Sequence, residues 1–271
     1  MADVARRGRR ESAQMPPMPD IEVRSISSPS PVKPVLVCGF PGSGYVGKLA
    51  ADHLVTVFKA KKVAEFYATS FPPHANINEE GLAFRPKGEL YHADTGQRND
   101  LLVFTADSQP GTSAGEYELA ETLLKEAERL RVEMVFSLAA YVTGSFVKVR
   151  RVFGTATSSQ VLPLLTKSGV EIMREGGISG MNGVVVGMAK LLGMEGVSLL
   201  GETSGYLLDP AASHSVLESL SKILDVKIDM TSIEERAKEA QQVLGQVQRL
   251  TEQNIEQARG AKEEGRPGYI A

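Results

Sequence analysis

Gly42, Gly44 and Gly47 stand in the order G-x-G-x-x-G, directly after the apolar run Pro34-Val-Leu-Val-Cys-Gly-Phe40 and ahead of a stretch with helical spacing at Leu49, Ala50, His53, Leu54 and Val57. A glycine loop between a strand and a helix can cradle a phosphate, because backbone N–H groups and the helix dipole face it there. Glu65, 18 residues beyond Gly47, is the acid that a dinucleotide fingerprint would direct to a ribose. Two features oppose that chemistry. Glu65 falls in mid-strand with Phe66 and Tyr67 still to come, and Pro41 stiffens the turn before the first glycine. Tight packing of the helix on the strand is the plainer use of these glycines.

Other side chains could do chemistry at the same rim. Asp107 and Glu202 each follow a strand-like run, where a catalytic acid could act or where a carboxylate could cap a turn. Ser43, Gln109 and Tyr141 occupy the loops that would converge with them. His53, His74, His92 and His214 lack the paired spacing of metal ligands. Cys38 sits inside an apolar strand and reads as a small core residue. There is no P-loop and no G-x-S-x-G elbow. No cofactor or metal is expected.

The elements that must position these residues alternate along the chain. Strand-like runs at 62–70, 101–106, 132–140, 149–153, 170–173 and 197–200 are separated by helical patterns at 113–131, 158–167, 184–192 and 210–224. The segment 74–99 reads as a small hairpin over a loop. This order predicts an α/β fold with a mostly parallel sheet flanked by helices over residues 34–230, with ligands at the carboxyl ends of the strands. Residues 1–33, carrying Arg6, Arg7, Arg9, Arg10 and several prolines, read as a disordered leader. From Thr231 a capping box and the recurrence of Ile233, Ala237, Ala240, Leu244 and Val247 predict a coiled-coil-like helix over 231–259, followed by a flexible tail over 260–271.

The chain has 271 residues, 42% of them hydrophobic, enough for a substantial core. A net charge of -3 gives no general attraction to nucleic acid. No apolar run reaches the roughly 18 residues of a membrane helix, and a cytoplasmic setting is expected.

Taken in order, Gly39-Phe-Pro-Gly-Ser-Gly-Tyr-Val-Gly47, the His74–Gly81 loop, Asp100-Leu-Leu-Val-Phe104 with Gln109-Pro110, Leu138-Ala-Ala-Tyr-Val-Thr-Gly144, Gly177-Ile-Ser-Gly180 and Leu200-Gly-Glu-Thr203 with Asp209 resemble the proteasome assembly chaperone family. The likeness is to archaeal members similar to the eukaryotic second assembly chaperone, and it spans about residues 34–235. It departs at Ala139-Ala140-Tyr141, where the family shows Gly-Gly-Tyr.

The resemblance implies a nucleoside-phosphorylase-like fold without that enzyme's activity, a homo-oligomer, and binding to proteasome alpha subunits. Some relatives end in a hydrophobic residue, tyrosine and any residue, which dock on the proteasome ring. Here the end reads Tyr269-Ile270-Ala271, with the tyrosine one place earlier, and these three are the expected partner-binding residues. The alternative drawn from the residues alone is a nucleotide-binding or nucleoside-processing enzyme using the glycine rim.

Overall fold

A computed structural model describes residues 20–145 and 149–243. A nine-stranded sheet crosses the domain in the order β1 (Ile21–Ser25), β3 (Lys61–Ala68), β6 (Gly88–Ala93), β7 (Leu101–Ala106), β2 (Val35–Gly39), β8 (Met134–Val142), β11 (Glu195–Thr203), β9 (Val152–Ala156) and β10 (Glu171–Ile172). The four central strands, β7, β2, β8 and β11, run parallel. They are the most apolar, as a sheet covered on both faces requires. β1, β3 and β6 continue the sheet antiparallel, and β9 is antiparallel to β11. The sheet is therefore mixed rather than mostly parallel. Short connections such as that from β6 to β7 favour antiparallel neighbours, whereas the parallel pairs need helical crossovers.

Two further expectations change. The 1–33 leader contains β1, whose five residues pair with β3 from Ile21↔Ala68 to Ser25↔Ala64. The 74–99 segment divides: β4 (Asn76–Ile77) and β5 (Ala83–Phe84) make the small hairpin, while Glu89–His92 belong to the main sheet in β6.

Helices cover both faces. α1 (Val46–Val57) and α5 (Pro210–Leu224) pack on one face over Val35, Val37, Val103, Phe136 and Leu199. α2 (Ser113–Arg129) and α4 (Met181–Leu191) pack on the other over Leu36, Phe66, Leu90, Phe104 and Val135. Alternate residues of β2 thus feed two separate cores, the period-two pattern of a strand buried on both sides. Cys38 lies wholly inside the second, where burial pushes its thiol up. α3 (Leu162–Lys167) adds Leu165 to the first core. Residues 231–243 are helical and bury Ile233 against that same core.

Candidate functional site

The glycine loop works as a packing device. A short 3-10 turn at Ser43–Tyr45 leads into α1, with Gly44 at φ 62° and Tyr45 at φ 53°, two consecutive left-handed residues. A β-carbon on Gly47 would overlap the Leu138 carbonyl oxygen, and one on Gly39 would overlap Gly47. The two glycines let α1 lie directly on the backbones of β2 and β8. Gly42 has an extended backbone that any residue adopts, and its nearest neighbour to a β-carbon would be Gln109 at 4.0 Å.

The acid that the fingerprint needs is elsewhere. β3 is three strands from β2 in the sheet, about 14 Å at ordinary strand spacing. Glu65 there accepts from Lys62 at 2.9 Å, from the Tyr67 hydroxyl at 2.9 Å and from Lys87. Burial alone would raise its pKa, but the hydrogen bonds from Lys87, Lys62 and Tyr67 outweigh it and hold the carboxyl at about 2. Glu89 closes the cluster by pairing with the same two lysines.

The predicted rim residues do not share one centre. Asp107 accepts from the Lys87 N–H at 3.1 Å, and burial raises its pKa despite that bond and the nearby Lys48 charge. Glu202 is gripped instead by Arg151, Nη2 to Oε1 and Nε to Oε2 both at 3.0 Å, and this pairing holds its carboxyl below the usual range. A carboxylate held charged in this way is a poor general acid. Tyr141 stacks on Phe153 with ring centres 4.0 Å apart, and Arg151 lies over the Phe153 ring.

Gln109 joins three segments. Its Nε2 donates to the Pro41 carbonyl at 2.6 Å, and its Oε1 accepts from the Met181 N–H, the start of α4, at 2.9 Å. The glycine loop, the β7–α2 loop and α4 are therefore tied by one side chain.

Sequence reasoning missed the strongest buried network at this rim. Asp209 caps α5 by accepting from the Ala212 N–H at 3.1 Å, accepts from the Thr203 hydroxyl at 2.8 Å and pairs with Arg150 Nη2 at 3.1 Å. Its own N–H donates to the Gly44 carbonyl at 2.9 Å, and Ser213 donates to the Val46 carbonyl at 2.9 Å. Asp209-Pro210 carries the signal of an N-cap followed by proline at the first helical position. Nothing local points to Arg150. A second missed group lies under α1, where Lys48, Asp52 and Thr105 bond one another at 2.8–3.0 Å.

Tyr45, Val142, Tyr206, Leu207 and Leu208 are exposed on the adjoining loops of the rim. The loops touch: a β-carbon on Gly205 would meet Val142, with the Ser43 β-carbon 3.7 Å away. Apolar side chains gathered this way suit contact with another protein. The expected partner-binding residues Tyr269, Ile270 and Ala271 lie outside the described residues.

Residues 36–248 match the PAC2 family. The chain is similar to PbaB of Pyrococcus furiosus, an archaeal proteasome activator, with 33% identity, a TM-score of 0.80, and coverage of 85% of this chain and 100% of that one. It is also similar to PbaA of the same organism, an archaeal homolog of proteasome-assembly chaperone, at 28% identity and a TM-score of 0.71 over 91% and 98% of the two chains. An uncharacterized protein of Methanocaldococcus jannaschii is 32% identical over 225 residues, 83% of this chain and 86% of its own length.

Proposed function

The chain belongs to the PAC2 family, and on that premise we propose that it is a non-enzymatic proteasome assembly chaperone or proteasome-binding factor that associates with alpha subunits. The observation that carries this reading is the likeness to PbaB, an archaeal proteasome activator, over the whole of that chain at 33% identity. Two features of the site support it. Glu202 and Asp209, the buried carboxylates nearest the rim, are committed to Arg151 and Arg150, so they hold loops together rather than offer a proton. The exposed apolar side chains at the rim give a partner protein something to bury.

In this reading the nucleoside-phosphorylase-like layout is a binding scaffold, the protein works in the cytoplasm as a homo-oligomer, and the tail at Tyr269-Ile270-Ala271 adds a contact to the proteasome ring. The test is a pull-down of proteasome alpha subunits by the full chain and by a chain ending at Gly265. Retention by the full chain is expected, weakened in the shortened one. No retention by either refutes the proposal, and equal retention removes the tail from it.

A further inference from the structure

The segment entering the helix over residues 231–243 is tied to the body by histidines from two other helices. His53 of α1, 7% exposed, places Nε2 2.7 Å from the Asp229 carbonyl oxygen and Nδ1 3.3 Å from Ser232 Oγ. A carbonyl only accepts, so Nε2 carries the proton. Nδ1 then accepts from the Ser232 hydroxyl, and the ring that satisfies both contacts is neutral. Ile233, the next residue, is buried in the α1–α5 core. His214 of α5 lies with Nε2 3.4 Å from Glu234 and Nδ1 3.9 Å from Glu218.

We propose that neutral His53 is a pH-sensitive latch holding the base of the 231–243 helix against α1 and α5, and that protonation of its ring frees this helix while the sheet stays folded. The inference rests on geometry within this chain and is independent of the proteasome reading.

The surrounding charges set the sign. Burial lowers the His53 pKa below its ordinary 6.5; the Asp229 carbonyl and carboxylate oppose that shift, and Arg236 and His214 add to it. A ring released to solvent titrates at its ordinary value, so the latch is at full strength above about pH 6.5 and weakens as pH falls below it, down to the lowered value. Each unit between the two values is tenfold in the latching equilibrium. His214 works the other way: once charged, it attracts Glu234 and Glu218 across the same junction. The two histidines therefore need separate variants.

Hydrogen–deuterium exchange of the full chain at pH 7.5 and 5.0, corrected for intrinsic exchange rates, tests the proposal. Peptides covering 229–243 should lose protection about tenfold at the lower pH, while β2, β7 and β8 keep theirs. H53Q should remove the pH dependence, and H214Q should keep or enlarge it. S232A, which deletes the donor to Nδ1, should move the loss to higher pH; it carries the test if H53Q does not fold. Unchanged protection of 229–243 at pH 5.0, loss that spreads equally to the sheet, or a pH dependence abolished by H214Q but retained by S232A without a shift would each overturn the proposal.

Discussion

Gly47 lies so close to the Leu138 carbonyl oxygen that a single methyl group cannot be placed between α1 and β8. Alanine normally favours a helix interior over glycine by up to about 1 kcal/mol. At Gly47 the overlap is with backbone, which cannot rotate away, and overpacking of this kind costs about 1–3 kcal/mol. The overlap should win, so G47A should lower the urea midpoint. G42A, where the space is open and the backbone extended, should leave stability within about 0.5 kcal/mol of the parent. A stabilised G47A would mean that α1 does not rest on the sheet as described.

The Gln109 amide leads to a different measurement. Q109A removes the acceptor of the Met181 N–H and the donor to the Pro41 carbonyl, at a cost of about 1–3 kcal/mol for groups left without partners. Amide exchange should quicken in two separate places, at 41–47 and at 180–184, with α5 unaffected. Faster exchange in only one of them would deny the side chain its role as a tie between the two loops.

Acid should act through Glu65. Its folded carboxyl titrates at about 2 against an ordinary 4.5, so its contribution to stability is complete above about pH 4.5 and is lost as pH falls through about 2. E65Q should be less stable than the parent at pH 7, and the difference should shrink steadily between pH 4.5 and 2. Chemical denaturation across that range is the check, and a difference that is constant with pH would show that the Lys62–Lys87–Glu89 surroundings do not hold the charge.

What the sequence makes legible follows from the range of the interactions involved. α5 and β7 were readable almost to the residue, because an Asp-Pro start and a six-residue apolar run are local signals. β1 was not. Its five residues sit among prolines and serines, and only pairing with β3 some forty residues later gives them a partner. The same limit explains β6, read as part of a local hairpin although its neighbours are β3 and β7. At the site, alternating strands and helices correctly placed Gly42, Gln109 and Glu202 on loops or strand ends. They could not reveal that Glu202 and Asp107 answer to different cations, Arg151 and Lys87, since side-chain partnership is settled by strand order and register. The glycine motif was read rightly as packing for a local reason, the mid-strand position of Glu65.

Asp209 and Arg150 give the sharpest energetic test of the rim. Their side chains are 8% and 12% exposed, and the aspartate also serves Thr203 and the α5 cap. Removing one member of a buried pair strands the other charge, which costs about 3–5 kcal/mol, whereas removing both can be nearly neutral. D209N keeps an oxygen for the Ala212 N–H but loses the charge, so its cost should come chiefly from the stranded guanidinium. R150Q alone should also destabilise, and the double variant D209N/R150Q should recover much of the sum. Urea unfolding of the four proteins closes the cycle. Strict additivity would mean that Arg150 and Asp209 act independently, and that the glycine loop is held at Gly44 by the Asp209 backbone alone.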